Sequence, residues 1–230
     1  MSRSELYRLS GLSVLVGTAL ALLTFVYSAF VFVGDFSATH GKPGFVIVNL
    51  LQWLAVALVL LGLPMLYASI ADRAGLPGLI GTALIFLTGL MFGIFFPMLS
   101  ALIVPYLADK APQVFKGSGP PGFLPYFVVG TITSVVGPVL LAIPFLGDNL
   151  QPRWLGYTLV GSALFAVVSF FINSQSSNLL ANVVNTLSPI LLFVSLGGIA
   201  YSLVNRLGEP HSGAEPEQKQ PMSTGSPPSP

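Results

Sequence analysis

The apolar positions of this chain fall into six long blocks, 9–33, 44–70, 77–106, 123–146, 154–172 and 178–204, separated by short polar connections. Each is close to or above the roughly 20 residues that a helix needs to cross a hydrocarbon layer of about 30 Å. None shows the alternating ten-residue segments of a membrane β-barrel. The pattern predicts an all-α fold, a polytopic transmembrane helix bundle of six spans. The first block follows Arg3 and Arg8 in the manner of a secretory signal, but it is too long for a signal core and no A-x-A site follows it.

From Gly208 the pattern stops. The remaining stretch, rich in Pro, Ser, Gly and Glu, has almost nothing to bury. It predicts a disordered tail over 208–230, leaving 1–207 as the transmembrane domain. Composition sharpens this picture: 53% of the residues are hydrophobic and 7% are charged, against about 25% charged in a soluble domain. The absence of cysteine excludes disulfides and thiolate metal sites.

Basic residues set the expected orientation. Arg3, Arg8, Arg73, Arg153 and Arg206 fall on one side of the predicted layer, with Lys219 in the tail, and Lys42, Lys110 and Lys116 fall on the other. The positive-inside rule then predicts a multi-pass protein of the cell membrane with both termini cytoplasmic. Tyr7, Tyr67, Trp154, Tyr157 and Tyr201 form the inner aromatic belt, and Tyr27, Tyr106 and Tyr126 the outer one.

Three odd-numbered spans share a signature: LVGTAL at 15–20, LIGTAL at 79–84 and LVGSAL at 159–164. Their glycines, Gly17, Gly81 and Gly161, follow Arg8, Arg73 and Arg153 at nearly the same spacing and in the same direction. The even spans share Pro64, Pro138 and Pro189, each followed by an apolar residue and Leu. Three related helical hairpins, repeated about an axis along the membrane normal, are expected. The three glycines, with Gly89 and Gly93, are expected to pack helix against helix.

The opening RLSGLSVLVG resembles the start of a group of uncharacterised bacterial multi-span proteins of unknown function, whose first helix opens R-x-x-G with a second glycine about six residues on. The resemblance implies a bacterial inner-membrane protein with no assigned activity, and it transfers no functional residue.

Chemistry is sparse. No Asp, Glu, Lys, Arg or His lies within the six blocks, whereas proton relays and ion coupling require such groups. No cofactor, metal, nucleic-acid partner or enzymatic activity is expected. Asp35, Ser37 and His40 are the residue types of a hydrolytic triad, but all three stand in one ten-residue connection and read as a solvated loop. The Pro- and Gly-rich connection before the fourth span reads as a turn-rich loop.

What remains is uncharged polarity. Gln175, Asn178, Asn182 and Asn185 form one helical stripe at the start of the sixth span. Comparable groups stand in the same half of the other even spans: Asn49 and Gln52 in the second, Thr131, Thr133 and Ser134 in the fourth. Such groups either fasten helices together or line a wet pocket, and fastening is the expectation for so small and uncharged a set. The function expected is that of a non-enzymatic accessory or interaction protein, in contact with the lipid bilayer, other membrane subunits or copies of itself. The alternative is a small permease or channel for an uncharged or weakly polar solute.

Overall fold

The computed structural model describes residues 3–33, 39, 41–111, 123–147, 150, 152–172 and 179–208. The loop residues Asp35, Ser37 and His40, the connection 112–122, the amides Gln175 and Asn178, and the tail beyond Gly208 lie outside them.

Six helices are long and apolar enough to cross a membrane: Glu5–Val31, Phe45–Ala68, Ala71–Leu107, Leu124–Leu146, Trp154–Ile172 and Leu179–Asn205, here spans 1 to 6. No strand occurs among the described residues. Each span lies against the next and span 6 against span 1, closing a ring, and spans 2 and 6 also touch. Arg8, Arg73 and Arg153 mark one end of the bundle, and Lys42 and Lys110 the other. At the lysine end, the Lys42 ammonium donates to the carbonyls of Val31 (2.8 Å) and Val33 (2.9 Å). It thereby caps the exposed carbonyls at the end of span 1, where a cation is favoured. At the arginine end, Gly75 breaks the chain out of helix with φ 58° and ψ −160°, a conformation closed to other residues. The continuous winding of span 3 therefore begins beyond that point.

One core draws on all six spans and is concentrated towards the arginine end. Val14, Leu63, Ile85, Leu141, Leu159 and Leu196 all belong to it and are almost fully buried. Lipid is as apolar as leucine, so burial alone does not hold such helices together; close packing and hydrogen bonds do. The backbones meet where side chains vanish. A Cβ on Gly17 would lie 2.6 Å from the Ala55 carbonyl oxygen and 3.0 Å from Leu58. On Gly81 it would lie 2.5 Å from the Leu141 nitrogen, 2.8 Å from the Gly137 oxygen and 3.1 Å from Leu140. On Gly161 it would meet only the Leu191 side chain, at 3.3 Å, so the backbones stand farther apart at this glycine. Gly89 and Gly93 of span 3 seat Leu60 and Val56 of span 2.

These contacts relate the hairpins to one another. Gly17 meets Leu58, Gly81 meets Leu140 and Gly161 meets Leu191, so the even spans correspond through those three leucines. The proline register follows for Pro138 and Pro189, each two residues before its leucine. It does not follow for Pro64, which stands about two turns past the equivalent position, where Val56 is found.

Span 3 carries a further irregularity. Its buried residues advance by three or four from Gly78 to Thr88, then jump five to Gly93, and resume through Pro97, Ser100, Ala101 and Val104. The jump is a π-helical segment, Gly89–Phe95. Pro97 has no N–H to return to Gly93, and its ring crowds that carbonyl. One extra residue in the winding relieves both problems and rotates the buried face to suit the new neighbours. The Met91 carbonyl accepts the Phe96 N–H and also the Tyr126 hydroxyl of span 4.

Candidate functional site

The even-span register sorts the uncharged polar residues into two sets of three. Asn49, Thr131 and Asn182 stand at one equivalent position, each nine residues before its leucine. Gln52, Ser134 and Asn185 stand at the next, almost a turn deeper. All six are partly buried.

In the upper set, Asn182 fastens helices: its Nδ2 donates to the carbonyls of Ala29 (2.8 Å) and Ser28 (3.3 Å) on span 1. Asn49 instead turns back on its own helix, Nδ2 to the Phe45 carbonyl at 2.8 Å. The Thr131 carbonyl accepts the Ser134 hydroxyl at 2.8 Å. Thr133 bridges to span 3, its hydroxyl 2.8 Å from that of Thr88, and donates to the Gly130 carbonyl at 3.0 Å.

Each hairpin is held by a hydroxyl. Ser13 donates to the Leu58 carbonyl (2.7 Å) in the first, Thr88 pairs with Thr133 in the second, and Thr158 pairs with Ser195 (2.7 Å) in the third. The sequence reading did not single out Thr158 or Ser195. A lone hydroxyl in an apolar block signals a fastener only once the facing span and its register are known.

The deeper set heads three inward stripes of matching pitch. Gln52, Val56, Val59, Leu63 and Leu66 run down span 2. Ser134, Pro138, Leu141 and Phe145 run down span 4, and Asn185, Pro189, Leu192 and Leu196 down span 6; all advance by fours and threes, one helical face. At the bottom the stripes converge in the common core, with Leu63, Phe145 and Leu196 each 2% exposed. At the top Gln52, Ser134 and Asn185 keep part of their surface open. The inward faces are thus apolar and buried towards the arginine end, and polar and partly exposed towards the lysine end. In the turn that holds Gln52, the Trp53 indole N–H is buried with no acceptor among the described residues, and the Thr18 hydroxyl in span 1 is likewise unpaired.

Among the described residues no three His, Cys, Asp or Glu side chains gather as a metal site. The single ion pair among them, Lys110 to Asp109 at 2.9 Å, is highly exposed and contributes little. No protein-family model, curated protein or solved structure matches the chain.

Proposed function

We propose that this chain is a multi-pass protein of the bacterial cell membrane, with both termini cytoplasmic, that works through lateral contact rather than by catalysis or conduction. Its partners are other membrane subunits or further copies of itself. One observation carries the reading: the inward stripes of the even spans end in Leu63, Phe145 and Leu196, each almost fully buried and all part of one apolar core. A solute passing through would have to part these side chains, and no ionisable group lies in the apolar blocks to drive it. The orientation rests on the arginines, all of which fall on one side. The bacterial assignment rests on the resemblance of the first helix.

The permease reading keeps one support, the partly open Gln52, Ser134 and Asn185. The two readings separate in a single preparation. Extracted in mild detergent, the protein should run as an assembly heavier than its 24.2 kDa chain. Reconstituted into liposomes, it should pass glycerol and urea no faster than protein-free vesicles. A lone chain, or flux above the empty-vesicle rate, would overturn the proposal.

A further inference from the structure

The geometry points to a blind recess on the repeat axis, open at the lysine end, that binds a small uncharged molecule carrying carbonyl or hydroxyl groups among Gln52, Ser134 and Asn185. Each hairpin contributes one polar residue at the same repeat position, and each heads a stripe whose lower members meet in one core. Residues that share a face with converging neighbours converge themselves unless the helices splay, and spans 2 and 6 touch across the ring.

Burial argues that this level is open. Gln52 shares its face with Val56 (3% exposed) and Val59 (2%) just below it, and yet remains partly exposed. Its amide is held by no side-chain hydrogen bond among the described residues, unlike those of Asn49 and Asn182. Ser134 spends its proton on the Thr131 carbonyl, so its oxygen is left to accept.

The same inventory sets the ligand's charge. Amide and hydroxyl groups supply donors and acceptors, but no full charge stands in any apolar block to balance an ion. A neutral amide or polyol fits; a carboxylate or an ammonium does not. The buried apolar core beneath makes the recess a place of binding and not of passage, so this inference and the lateral-contact reading fail on different measurements.

Because the chain has no cysteine, Ser134→Cys, Gln52→Cys and Leu63→Cys each introduce one thiol. Their reaction with a membrane-impermeant thiol reagent is followed from either face of the membrane, using right-side-out and inverted vesicles. Acetamide and glycerol serve as neutral probes, acetate and methylammonium as charged ones. Cysteines at 134 and 52 should react from one face only, at least about threefold more slowly with acetamide or glycerol present, and unchanged by the charged probes; a cysteine at 63 should not react. Ser134→Cys is nearly isosteric, so it carries the test if the others fold poorly. No reaction at 134, reaction from both faces, no protection by the neutral probes, or equal protection by charged ones would overturn the inference.

Discussion

Thr18 and Thr88 are both buried threonines in apolar helices, and the structure gives them opposite energetics. The Thr88 hydroxyl pairs with Thr133 across the second hairpin, whereas that of Thr18, whose methyl packs against Gly197, is buried with no partner. Valine has the shape of threonine without the hydroxyl. Thr18→Val should therefore leave thermal stability in detergent unchanged or raise it by up to about 1 kcal/mol, by removing an unsatisfied group. Thr88→Val should lower it by about 0.6–1.7 kcal/mol, the range of interhelical hydrogen bonds in membranes. The reverse order would show that the two hydroxyls have been assigned to the wrong partners. At this scale the sequence revealed which polar residues sit within the apolar blocks. It did not reveal their partners, because a hydroxyl or amide chooses its partner through the register of a second helix. Asn49 and Asn182 occupy equivalent positions, yet one turns back on its own helix and the other crosses to span 1.

Among the helices, span 3 departs most from what its residues announce. Its length and Pro97 predict a kink or a tilt, but the π-helical segment leaves no polar mark, since the extra residue lies in a run of Gly, Leu, Met, Phe and Ile. Because the segment holds one residue more than an α-helix would, deleting Leu90 should let it wind as α-helix with both flanking faces still in place. Deleting Leu54, within the regular helix of span 2, rotates everything beyond it by about 100° and misplaces the core face. The Leu90 deletion should retain most of the folded yield, and the Leu54 deletion should abolish it. Equal damage from both, read by size-exclusion profile after extraction, would mean that the π winding stores no removable residue. The element boundaries, by contrast, were largely legible: the fourth and fifth helices, Phe123–Leu146 and Trp154–Ile172, run over the residues that the apolar pattern marks. Apolar blocks end where polar connections begin, and lipid enforces that edge.

For the whole molecule, the shared signature of the odd spans was readable, where three glycines stand at like depth and direction. In the even spans the eye falls on three prolines, of which only Pro138 and Pro189 are equivalent, and Val56 takes the third place. Ring closure was not legible at all. Six apolar blocks of similar composition do not state their neighbours, and only packing of small residues against particular partners decides that span 6 returns to span 1. That return places the three even spans' stripes around one axis, and both the buried apolar core and the recess above it follow from it. The closure is most directly tested by joining spans 1 and 6 covalently. A Cβ built on Gly197 stands 3.5 Å from the Thr18 Cβ, within the roughly 3.5–4.5 Å that a disulfide requires. In the double variant Thr18→Cys, Gly197→Cys, with a protease site inserted in the 112–122 connection, oxidation followed by cleavage should leave the two halves linked until reductant is added. Halves that separate without reductant, in a preparation that remains folded by its size-exclusion profile, would contradict the closed ring.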